Sequence, residues 1–63
     1  MNKIKELRLR QGLTQKELSN ILGVNRSTIA LWERGTNHPR MKMLPKLVNV
    51  FNCRVEDILS INM

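Results

Sequence analysis

Between Thr14 and Gly35 the chain reads TQKELSNILGVNRSTIALWERG, and this stretch leaves it little choice of fold. Thr14 followed three residues later by Glu17 is a capping box: the hydroxyl can accept from the Glu17 amide while the carboxylate accepts from the Thr14 amide, which fixes a helix start. Leu13 is placed beside it as a hydrophobic staple. That helix stops at Gly23, where a left-handed turn is open to a residue without a Cβ. Asn25 then opens a second helix as its N-cap, running to about Arg34 and stopping at Gly35. Leu18, Leu22, Val24, Ile29 and Trp32 give one buried stripe per helix, redirected at the glycine. The spacing predicts two short helices joined by a tight turn, a helix-turn-helix.

The flanking sequence reads as support for this pair. Asn2 to Gln11 predict a first helix, with Asn2 as N-cap, Gly12 as its stop, and Ile4 and Leu7 facing inward. Pro45 is tolerated only in a first turn, so a fourth helix begins near Met41 to Met43 and buries Leu44, Leu47, Val48 and Phe51, with Asn52 as its stop. A short fifth helix covers Val55 to about Ile61, with Glu56 and Asp57 in its first turn, the sign the helix dipole prefers there. The fold class is therefore all-α, five helices in a single domain spanning residues 1–63. A chain of 63 residues buries only about 60% of its unfolded surface, so a partner subunit would help it. The apolar end, with Ile61 and Met63, is the place for such a contact.

Charge narrows the ligand. Eleven Lys and Arg against five Asp and Glu give a formal charge of +6, which favours a polyanion such as nucleic acid. A membrane is excluded as the alternative, because no stretch approaches the roughly 20 apolar residues of a span. The single cysteine, Cys53, excludes an internal disulfide framework. With no secretory signal at the N-terminus, a cytoplasmic protein is expected. Cys53 reads as a small core residue and His38 as a loop residue; neither has the neighbours a metal site needs. One His, one Cys and scattered acids assemble no nucleophile with a base, so no enzyme, cofactor, metal or small-molecule ligand is expected.

The opening turn of the third helix is the expected reading surface. Arg26, Ser27, Ala30, Leu31 and Arg34 turn outward at 100° per residue, whereas Ile29, Trp32 and Glu33 turn inward. Arg26 can grip guanine O6 and N7, Ser27 suits several base edges, and Leu31 could meet a thymine methyl. Arg34 lies too far along for bases and suits phosphate. Gln15 and Lys16, in the first turn of the second helix, face the free amides and positive dipole end that favour a phosphate. Arg8 lies beside the apolar line of the first helix and needs a carboxylate; Glu33 is the acid to pair with it.

Laid out this way, the chain resembles the Cro and phage-repressor type of helix-turn-helix regulator, also called the xenobiotic-response-element family. The likeness covers about Ile4 to Leu59 and rests on LTQKELSNILGV, on STIALWERG, on Gly12, Gly23 and Gly35 at helix ends, and on Pro45-Lys46-Leu47. The resemblance implies a five-helix lambda-repressor-like domain that binds double-stranded DNA as a homodimer on a pseudo-palindromic operator. By position it implies base contacts for Gln15, Asn25, Arg26, Ser27 and Leu31. Backbone contacts are implied for Lys16, Arg34, Arg40 and Lys42, a buried ion pair for Arg8 and Glu33, and dimer contacts for Val55, Glu56, Ile58 and Leu59, to which the apolar tail adds Ile61. Ser19 replaces the family's usual alanine, and Leu31 replaces a residue that is often polar. A repressor is the simplest reading. The rival is a protein-interaction module such as an antitoxin-like partner, favoured by apolar Ile21 and Leu31 on outer faces.

Overall fold

Five α-helices follow one another in the computed structural model, which describes residues 3–59. They are α1 (Ile4–Arg10), α2 (Gln15–Leu22), α3 (Arg26–Arg34), α4 (Leu44–Phe51) and α5 (Val55–Leu59), with a 3-10 turn at Met41–Met43 leading into α4. No strand occurs among the described residues.

The local signals act through hydrogen bonds. Thr14 Oγ1 accepts from the Glu17 amide at 3.0 Å, and the Thr14 amide donates to Glu17 Oε1 at 2.9 Å, so both halves of the capping box are made. Gly23 adopts φ +74°, a left-handed conformation that a Cβ would resist, and its amide donates to Ser19 O. Asn52 takes the same role after α4 at φ +52°, as the non-glycine type that tolerates it best. The buried Ser19 hydroxyl donates back to Lys16 O at 2.7 Å.

Two helix starts differ from expectation, and a third gains a bond. α1 begins at Ile4, with Lys3 rather than Asn2 in the N-cap position and no side-chain cap, because the Lys3 carbonyl already accepts the first helical bond from Leu7. Asn2 itself lies outside the described residues. Met41–Met43 wind as a 3-10 turn, and α4 proper starts at Leu44 with Pro45 in its first turn, where the missing amide is not needed. At α5 the Asp57 carboxylate does more than oppose the dipole: it accepts from the Arg54 amide at 3.0 Å. Residues 60–63, which include Ile61 and Met63, are not among those described.

One core joins all five helices: Ile4 and Leu7 of α1, Leu18 and Leu22 of α2, Ile29 and Trp32 of α3, Leu44, Leu47 and Phe51 of α4, and Ile58 of α5. Leu13, Val24, Val48 and Cys53 pack against it half-buried. The most extensive packing is between α2 and α3, so the tight turn is set by the core and not by the turn alone. Gln11 Nε2 donates to Phe51 O at 3.2 Å, tying the end of α1 to the end of α4. Helices α1, α4 and α5 thus back α2 and α3 through one shared core.

Candidate nucleic-acid interface

A polar network anchors the site from inside. Arg8, in the last turn of α1, donates from Nε to Glu33 Oε2 at 2.6 Å and from Nη2 to Glu33 Oε1 at 3.2 Å, while Nη1 donates to Leu13 O at 2.8 Å. The two side chains are 8% and 6% exposed, so the pair is desolvated and its loss is of a different order from that of a surface bridge. Exposed Arg10 and Glu6, 3.2 Å apart at helical spacing, are the surface kind and contribute little. Glu33 sits near the C-terminal end of α3, where the dipole disfavours an anion, and the guanidinium offsets that cost.

Gln15 joins the same network. Its Nε2 donates to Glu33 Oε1 at 3.1 Å, a bond that the expectation of an outward first-turn glutamine misses. The signal for it lies in the spacing: Gln15, Leu18 and Leu22 stand at i, i+3 and i+7, so Gln15 occupies the first position of the buried stripe of α2.

Outside this anchor the structure opens. A groove of about 490 Å³ lies between the end of α1 and the starts of α2 and α3, and Gln15, Lys16 and Arg26 share it. Asn25, Arg26 and Ser27 are exposed, and α3 starts with no side-chain cap: Asn25 has the extended backbone of an N-cap, but its side chain makes no cap bond. Ala30 and Leu31 are half-buried, less outward than their angle around the helix suggests. Arg34, Arg40 and Lys42 are exposed but do not line the groove, and they form a second set of cations at the far end of α3 and in the loop beyond it.

The dimer candidates separate. Val55 is 40% exposed and Glu56 is exposed, whereas Ile58, at 5%, belongs to the core of the chain itself. The Leu59 side chain and Ile61 lie outside what is described. Cys53 is half-buried, and its thiol is pushed up from the ordinary range first by burial and then by the Asp57 carboxylate, with Arg10 pulling weakly the other way. A thiol so shifted is a poor nucleophile at neutral pH. Among the described residues no cluster of His, Cys, Asp and Glu could hold a metal, and no helix is long and apolar enough to cross a membrane.

Comparison with known proteins covers the whole of this arrangement. The family model described as helix-turn-helix matches residues 4–58. An uncharacterised HTH-type transcriptional regulator of Archaeoglobus fulgidus is 41% identical over 56 residues, 89% of this chain and 80% of the relative. The cryptic phage CTXphi transcriptional repressor RstR of Vibrio cholerae is 30% identical over 59 residues, 94% of this chain and 53% of that protein. The HTH-type transcriptional activator BcrR of Enterococcus faecalis is 34% identical over 58 residues, which are 92% of this chain and 28% of that longer protein.

Proposed function

This chain belongs to the helix-turn-helix family of DNA-binding transcriptional regulators, and from that premise we propose that it is a cytoplasmic homodimeric repressor that occludes a promoter by binding a pseudo-palindromic operator. The observation that carries the reading is the start of α3: Asn25, Arg26 and Ser27 are exposed, and among the described residues their side chains make no hydrogen bond or ion pair. Arg26 reads guanine through its paired donors, and Asn25 and Ser27 read neighbouring edges. Lys16, Arg34, Arg40 and Lys42 neutralise phosphates, so affinity falls steeply with salt. Leu31, half-buried, contributes at most an apolar contact. Repression is the mode that the name of RstR supports, and that of BcrR supports the opposite sign.

A dimer gives the small domain its second half-site. Exposed Val55 and Glu56 on α5 supply the contact, and Ile58 supports it from within the core. The test is selection of bound duplexes from a random DNA pool. A dyad-symmetric motif is the expected result, and failure to retard any duplex at low salt overturns the reading. A second reading, an interaction module for another protein, draws on Ile21, which is 51% exposed on the outer face of α2. It predicts no enriched motif in the same selection.

A further inference from the structure

Glu33 is a carboxylate and can only accept hydrogen bonds, so Gln15 can meet it only with its amide nitrogen. Nε2 is the atom found there, 3.1 Å from Glu33 Oε1. Turning the amide over would set two acceptor oxygens against each other in a part-buried site, which leaves both without a donor. The amide polarity of Gln15 is thereby decided inside the protein. The deciding group is itself held: Arg8 donates twice to Glu33 and once to Leu13 O, so the carboxylate has no freedom to follow a rotating amide. Among the described residues no buried side-chain oxygen or nitrogen lacks a partner, and Gln15 Oε1 forms no bond to any of them, so Oε1 lies on the accessible side. Gln15 also lines the groove that it shares with Lys16 and Arg26.

We infer that Glu33 is a positioning residue for DNA recognition: by holding Gln15 Nε2 inward it presents Oε1 to the DNA, so that Gln15 demands an exocyclic amino group at the base it faces. Adenine N6 and cytosine N4 carry such a donor in the major groove; the keto oxygens of guanine and thymine do not. Nε2 keeps a second N–H, and with Oε1 it completes the acceptor–donor edge that adenine N6 and N7 match. The Arg8 guanidinium has a further part in this. It neutralises the Glu33 carboxylate, which would otherwise stand as an uncompensated anion beside the phosphates. The inference rests on the DNA-binding reading of the α3 start and adds a residue, Glu33, that touches no base itself.

The experiment uses the operator found by selection. Each adenine is replaced in turn by purine, which lacks the N6 amino group, and each cytosine by 2-pyrimidinone, which lacks the N4 amino group. Wild-type protein should lose affinity roughly tenfold at one dyad-related pair of positions, the cost of leaving one acceptor unmatched. Gln15→Leu should be indifferent there. Arg8→Met combined with Glu33→Leu replaces the buried pair by apolar side chains of similar volume, an exchange that buried ion pairs tolerate. Its melting temperature checks the fold. The double variant should lose discrimination at the Gln15 position while keeping that at the Arg26 position. In DNA-free protein, one Gln15 side-chain amide proton should resonate downfield in the wild type and move back in the double variant.

Retained amino-group discrimination in the double variant overturns the inference. So does a Gln15→Leu protein that weakens on every sequence alike, because that is the behaviour of a phosphate contact. If wild type selects no duplex at all, the DNA-binding reading falls and takes this inference with it. That result is distinct from an operator that is bound and read without regard to Glu33.

Discussion

The starts of the two helices that the tight turn joins are alike in sequence logic and opposite in use. Thr14 and Asn25 are both good cap residues, both have extended backbones, and both precede helices of similar length, eight residues in α2 and nine in α3. At α2 the side chains turn back on the protein: Thr14 and Glu17 close the capping box, and Gln15 reaches Glu33. At α3 the Asn25 side chain caps nothing, and Arg26 and Ser27 stand exposed beside it. The cap residue type therefore licenses a helix by its backbone conformation, and the side-chain bond is a separate matter. The core fixes both helices, α2 through Leu18 and Leu22 and α3 through Ile29 and Trp32, so α3 stands without a cap bond and the Asn25 side chain is not spent on the fold.

The largest effect should come from cutting the anchor behind α2. Glu33→Ala removes the acceptor of three bonds, two from Arg8 and one from Gln15, and leaves a guanidinium buried without its partner. A loss of about 3 kcal/mol in urea unfolding is expected. An unchanged midpoint would mean that the two ends of the site are not held together from inside. Next in size is Arg26→Ala, which should leave folding stability within about 0.5 kcal/mol of wild type. The same change should weaken operator binding by about 1–3 kcal/mol and relax preference at one position. Loss of stability equal to the loss of binding would place Arg26 in the fold, and the contrast between the two starts would be lost.

How much of this was legible in the sequence depended on whether the cause was local. The capping box, Gly23 and the apolar stripes are set by neighbours within about one turn of helix, and each appears where its spacing puts it. The Arg8–Glu33 contact spans 25 residues, yet a cation beside an apolar line and an inward-facing acid announce each other. Gln15 shows where this stops. Its place at the head of the buried stripe of α2 announces an inward turn, but its partner depends on where α3 ends relative to α2, a tertiary fact that spacing does not express. Lys3 is a second case: the chain placed Asn2, a better cap, one residue too early for the helix that Ile4 and Leu7 impose through burial. Ile58 is a third. That it is buried in the chain's own core depends on how α5 packs on α4, which the spacing of a five-residue helix does not express.

The finest test compares the two caps directly. Thr14→Ala removes the acceptor of the Glu17 amide and leaves only the backbone half of the box, so it should cost about 1 kcal/mol of stability. Asn25→Ala removes no such bond, since the Thr28 amide is already satisfied by the Asn25 backbone carbonyl at 3.0 Å, and it should cost under about 0.5 kcal/mol. Urea unfolding of the two variants side by side reads the difference without any DNA present. Equal losses would mean that Asn25 caps α3 in solution, and a side chain committed to a cap has no acceptor to offer a base. A small loss at Asn25 together with weakened operator binding leaves only the ligand as the destination of that side chain, because alanine preserves the helix and removes nothing else.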